Sequence, residues 1–122
     1  MSADTSAAWR LLDRDWYYLG LPADEGFAAL QVVSGGSAAV PVYSDAERAR
    51  ALLGRAPSGV TVERLQADDL RAKEEWLRAA LTAGAAELLA DPAASTMEPA
   101  GTLPLRLALG YILSFRRETA CL

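Results

Sequence analysis

Histidine is absent from the 122-residue chain, and cysteine, lysine and isoleucine occur once each, as Cys121, Lys73 and Ile112. Without histidine there is no imidazole to act as general acid or base near neutral pH, and the usual nitrogen ligand for zinc, copper or iron is missing. Ser-His-Asp and Cys-His machinery is therefore excluded. A lone Cys121 forms no internal disulfide, builds no thiolate metal site and has no resolving partner, which suits a reducing, cytoplasmic setting. No long hydrophobic run is present either. The greasiest stretch, Leu103 to Phe115, contains Pro104 and Arg106 and falls short of the roughly 20 residues of a spanning helix. The acidic opening MSADTSAAWRLLDRD lacks a basic region followed by an apolar run, so neither a secretory signal nor a membrane partner is expected. Positive charge is short as well. Sixteen acidic residues against twelve basic ones give a net charge of -4, which leaves no electrostatic footprint for nucleic acid.

What is present is apolar: 52% of residues, beside 23% charged, too greasy for disorder and the right length for one packed domain over 1–122. Eleven of the twelve cations are arginine and 25 residues are alanine, the bias of a GC-rich bacterial coding sequence.

Ala8, Trp9 and Leu12 recur at helical spacing behind Thr5 or Ser6, so the region 1–15 opens with a short helix. Trp16 to Leu21 and Phe27 to Val33 read as strands, and Ser34-Gly35-Gly36-Ser37 as a hairpin turn into a third strand, Ala38 to Tyr43. Pro41 lacks an N–H, so that strand is expected at an edge or with this position turned outward. Ser44 followed by Glu47 predicts a capping box opening a helix whose stripe is Ala46, Ala49, Leu52 and Leu53, with Gly54 as a left-handed stop. Val60 to Leu65 alternates as a strand, and Asp68 or Asp69 caps a helix running to about Ala83, with Leu70, Leu77 and Leu81 on one face and Gly84 as the stop. Ala86 to Ala90 reads as the last strand, and 92–101 as an irregular linker. From Thr102 the leucines alternate as a strand would, yet Arg106, Gly110, Ser114 and Arg117 form one polar helical stripe. Helix is preferred, with Thr102 as cap and Pro104 in the first turn.

Chemistry-bearing constellations are few. Asp68, Asp69, Glu74 and Glu75 are better read as a cap and as partners of Arg71 and Arg78 than as paired catalytic carboxylates. Asp13, Asp15, Asp24 and Glu25 lack calcium-loop spacing, so no metal is expected. Lys73 falls at the margin of the leucine stripe, where a snorkelling stem explains it as well as a Schiff-base amine. The Gly35-Gly36 pair has neither P-loop nor dinucleotide spacing, and no cofactor is expected. More informative is Trp16 to Leu21: alternation puts Trp16 and Tyr18 on one face and Tyr17, Leu19 and Leu21 on the other, both apolar. Such a strand is either covered twice or exposes an aromatic binding surface. Arg116 and Arg117 suit the negative end of the last helix.

The order of elements, with Pro41-Val42-Tyr43-Ser44 leading into the first internal helix and Asp91-Pro92 closing a strand, resembles the SseB-like domain of the enhanced-serine-sensitivity family. That family favours proline, an apolar residue, an aromatic and Ser or Thr before this helix, and Asn-Pro after its last strand, so Asp91 departs from it. The likeness spans roughly Leu11 to Leu113. It implies an α+β domain of bacterial accessory proteins and carries over no catalytic residue.

The resulting expectation is a single α+β domain with a mixed, mostly antiparallel sheet and helices packed on it. Its function is expected to be non-enzymatic: an interaction or accessory module whose partner is another protein or a second copy, docked through the WYYLGL strand or the leucine-rich tail. The alternative is a small-molecule or peptide binder with an aromatic pocket of Trp16, Tyr18, Tyr43 and Tyr111, in which Arg116 or Arg117 reads an anion. Tyr17 joins these as a candidate binding residue.

Overall fold

The computed structural model describes residues 6–21, 29–34, 36–54, 59–93, 96 and 98–120. Among them the elements run α1 (Ser6–Leu11), β1 (Trp16–Gly20), β2 (Val32–Ser34), β3 (Ser37–Val42), α2 (Ala46–Leu53), β4 (Thr61–Leu65), α3 (Leu70–Thr82), β5 (Glu87–Ala90), β6 (Gly101–Pro104) and α4 (Leu105–Ala120). Four strands lie in the order β2-β3-β5-β6, parallel only between β3 and β5, while β1 and β4 form an antiparallel pair. The two sheets join where Tyr17 and Tyr43 exchange N–H to O=C bonds of 2.9 and 2.7 Å. This is the expected α+β domain with a mixed, mostly antiparallel sheet.

Period-two patterning explains how β1 is covered. Trp16 and Tyr18 join the main core with Val40, Val42, Leu88 and Leu103 of the sheet and residues of α1, α3 and α4. Tyr17 and Leu19 point the other way, into a smaller cluster built with Tyr43, Ala49 and Leu52, the last two from α2. The strand is apolar on both faces because helices cover both. Each fully buried large side chain contributes about 1.5–3 kcal/mol relative to exposure, and Trp16, Leu19, Leu77, Leu88, Leu103, Leu105 and Ile112 are all buried.

Several local expectations need correction. Of the two expectations for Pro41 the edge strand fails, since β3 lies between β2 and β5, and the outward turn of this position holds. Ala38 and Val42 offer their carbonyls to Ala86 and Asp91 beyond the ends of β5, so Pro41 faces away from β5. It sits past Ala39, where pairing with β2 stops, and before Tyr43, where pairing with β1 begins. A missing N–H costs nothing at that break. Ser44 is not the cap of α2: its N–H donates to Asp91 Oδ1 at 2.8 Å, which keeps the chain extended for one more residue. Asp45 caps instead, accepting from the Arg48 N–H at 2.8 Å. Gly54 ends α2 at φ -63, right-handed, whereas Gly84 takes the expected left-handed φ of 96 after α3.

The strand expected over Phe27 to Val33 is shorter: Ala29 makes one bridge to Gly20 and β2 starts at Val32, while Phe27 and Ala28 lie outside the described residues. Thr5 does too, and Ser6 is already helical. Ala86 to Ala90 does not hold the last strand. Gly101, the end of the expected linker, opens β6, which pairs Leu103 with Leu88. Thr102 and Pro104 therefore belong to a strand and not to the first turn of a helix. Pro104 is tolerated because β6 is an edge, and α4 starts one residue later, the Leu105 N–H donating to Ala86 O at 2.9 Å. The helical reading of the tail holds from there, with Leu105, Ala108 and Ile112 buried and Arg106, Gly110 and Ser114 exposed.

Helix α3 has the expected Asp69 cap and the pairs Arg71–Glu75 and Arg78–Glu74 at 3.2 and 3.0 Å. Among the described residues no helix is long and apolar enough to cross a membrane. The α2 cap is directly testable. Asp45→Ala should cost about 1 kcal/mol of urea-unfolding stability, whereas Ser44→Ala should cost nearly nothing, because its backbone N–H makes the contact. The reverse order would contradict the cap assignment.

Candidate functional site

Position 73 is three residues after Leu70 and four before Leu77, inside the helical stripe that faces the core. Lys73 is accordingly 0% exposed. Its Nζ donates to Leu12 O at 2.9 Å, Arg14 O at 2.8 Å and Ala67 O at 3.1 Å, and lies 4.8 Å from the centroid of the Trp16 ring. An ammonium has three donors, and all three are used. Leu12 and Arg14 follow the end of α1, where carbonyls lack helical partners, so α3 supplies the cap of α1. Burial lowers the Lys73 pKa to about 8, against the opposing pull of Asp13, Asp15, Asp68 and Asp69.

The head group, not only the stem, is thus inside, which corrects the snorkelling expectation. It equally removes the Schiff-base reading, because an attacking amine must reach its substrate. Further bonds fix the same turn. Trp16 Nε1 donates to Leu11 O at 2.8 Å, and Asp15 Oδ1 accepts from the Ala67 N–H at 2.7 Å.

Above this turn opens a groove of about 360 Å³. Leu12, Leu70, Ile112, Tyr111 and Phe115 form its apolar wall, with Ala67 beside them and the carboxylates of Asp13 and Asp68 on it. Tyr111 is held by an O–H donated to Asp13 Oδ1 at 2.9 Å and by ring contacts with Trp9 and Phe115 at centroid distances of 5.6 and 5.5 Å. Phe115 is 43% exposed, and Asp13 and Asp68 are exposed. Asp69, by contrast, is committed to the α3 cap through the Ala72 N–H at 3.1 Å.

The aromatic residues singled out from sequence do not converge. Trp16 is fully buried and Tyr18 half-buried, both against Trp76 at centroid distances of 5.7 and 5.4 Å. Tyr17 and Tyr43 belong to the opposite face of the sheet, so Trp16, Tyr18, Tyr43 and Tyr111 form no common pocket. Nor is β1 a free edge, having β4 on one side and Tyr43 on the other. Arg116 and Arg117 lie in α4, with side chains outside the described residues. Of the described members of the named set, Tyr111 alone lines the groove. Sequence reasoning missed Leu70, Ile112 and Phe115 as wall residues. The available signal was the tail, which carries apolar residues over a wider arc than one buried stripe needs.

Among the described residues no three potential metal ligands cluster. No family model and no curated protein matches the chain.

The buried lysine gives stability a specific pH dependence. Folded Lys73 releases its proton near pH 8 and an unfolded one near 10.5, so between these values the unfolded chain holds more protons and stability rises with pH. Tyr43 works in the opposite sense, its hydroxyl pushed from 10.0 to about 12 by burial and then by the charge of Asp91, so stability falls above pH 10. The urea midpoint is expected to climb from pH 8 to 10 and then decline. Lys73→Met should abolish the climb and cost about 1–3 kcal/mol at pH 7 by leaving carbonyls without a donor. A wild-type profile flat from pH 8 to 10 would contradict the buried charge.

Proposed function

We propose that this protein is a non-enzymatic, cytoplasmic interaction module that docks a segment of a partner protein carrying an apolar side chain next to a lysine or arginine. The observation that carries this reading is the groove between the turn after α1, the start of α3 and α4: apolar walls with two exposed carboxylates on them. Its size, about 360 Å³, suits one or two side chains and lies just above the lower limit of small-molecule pockets, about 300 Å³. Charge selects the occupant. Asp13 and Asp68 favour a cation, Lys73 is occupied by carbonyls, and the net charge of -4 steers basic partners toward the protein. Kinship with the SseB-like domain belongs to the same proposal. It is supported by Pro41 to Ser44 leading from β3 into α2, while Asp91-Pro92 departs from the family pattern both in its Asp and in following β5, which is not the last strand.

The test is a peptide array pairing Leu or Phe with Lys, Arg or Glu at spacings of one, three and four residues, probed with the tagged protein. Binding should concentrate on the basic peptides. It should weaken at least ~10-fold in Asp13→Asn/Asp68→Asn and in Phe115→Ala, the loss of roughly 1.4 kcal/mol or more, with thermal stability retained in the Asp68→Asn and Phe115→Ala single variants. Equal binding of the acidic peptides, or self-association lost in Phe115→Ala with no peptide binding, would overturn the proposal; the second outcome would make another copy of the chain the occupant.

A further inference from the structure

Two of the three carbonyls that hold Lys73 border the groove. Leu12 O and Ala67 O, at 2.9 and 3.1 Å from Nζ, belong to the peptide units that lead into Asp13 and Asp68, and all four of these residues line the groove. Building on the docking role proposed above, we infer that Lys73 is the positioning residue of this groove, and that docking of a cation at Asp13 and Asp68 is coupled to release of a proton from the ammonium to solvent.

One ammonium thus ties both charged peptide units, one in the turn after α1 and one at the entry to α3, and so holds the two carboxylates in register with each other. Its charge works against its geometry. Asp13 and Asp15 in the first segment and Asp68 and Asp69 in the second all favour the protonated form, against the larger effect of burial. Of the other elements around Nζ, β1 brings the Trp16 ring, β4 brings Arg64 to Asp15 at 3.4 Å, and α4 brings the Tyr111 hydroxyl to Asp13. The positive charge beneath the groove therefore cancels part of the attraction that Asp13 and Asp68 exert on a cation docked there. Solvent screens that cancellation little, because Lys73 is fully buried. A neutral amine keeps two N–H donors, so the peptide units stay tied while the carboxylates act unopposed. Linkage requires the converse: a cation on Asp13 and Asp68 weakens their hold on the Lys73 proton, which then leaves more readily.

Lys73 and Ile112 are the sole residues of their types. A Lys73 ¹⁵Nζ signal therefore reads the proton, and an Ile112 Cδ1 methyl signal, from the groove wall, reads occupancy. The probe is phenethylguanidinium, an apolar ring on a cation that keeps its charge, titrated at constant ionic strength at pH 6.5 and pH 9, which bracket the Lys73 titration near 8. Saturable Ile112 shifts are expected, with binding roughly fivefold tighter at pH 9, and saturating probe should move the Lys73 titration to lower pH. In Lys73→Met the affinity should no longer depend on pH; the two wild-type signals decide the matter even if that variant does not fold. Equal affinity at both pH values with an unmoved Lys73 titration would overturn the coupling and leave the docking groove standing, as would a pH dependence that survives in folded Lys73→Met. No saturable shift at either pH would remove the groove reading, and the coupling with it.

Discussion

The ammonium of Lys73 reaches the carbonyls of Leu12, Arg14 and Ala67, so segments some sixty residues apart in sequence converge on one nitrogen. A buried charge is costly unless its donors are answered. Here each donor has a carbonyl and the Trp16 ring covers the group. The bond set fixes the end of α1, the entry to β1 and the approach to α3 together. Asp15, just before β1, strengthens the same junction, accepting from the Ala67 N–H and lying 3.4 Å from Arg64.

That junction matters because its turn borders two cavities. Leu12 and Asp13 line the apolar groove, while Leu11 and Arg14 line a crevice at the ends of the parallel strands β3 and β5. The two differ in chemistry as the adjoining elements differ. Helices α3 and α4 bring leucine, isoleucine and aromatic carbon to one, and the β5 and α2 termini bring Asp91 and Ser44 to the other. One cavity presents apolar carbon with two carboxylates, the other two guanidinium groups with one carboxylate.

Much of the fold was legible. The alternation of Trp16 to Leu19 gave two apolar faces, and two clusters cover them; the leucine stripe of α3 and the stop at Gly84 were equally readable. What escaped depends on contacts distant in sequence. Asp91 claims the N–H of Ser44 from 47 residues away, which moves the cap of α2 by one position. Strand β6 has four residues and only one β-branched member, Thr102, and it exists because Leu88 and Leu89 offer it a ladder. The candidate site was less legible still. A search for aromatic side chains led to Trp16 and Tyr43, which the core absorbs, whereas the groove is made where helices from opposite ends of the chain meet. For Lys73 the helical phase was legible, at the margin of the leucine stripe, but the burial of its head group was not, because two of the carbonyls that answer it come from the turn after α1, some sixty residues away.

Because Lys73 is the only lysine, selective ¹⁵Nζ labelling yields a single side-chain signal to follow by NMR as pH rises. The expected result is an ammonium protected from solvent exchange that titrates near pH 8, the value burial imposes. A freely exchanging ammonium that titrates near 10.5, as in an unfolded chain, would place the head group in water and remove the tie on which both cavities depend.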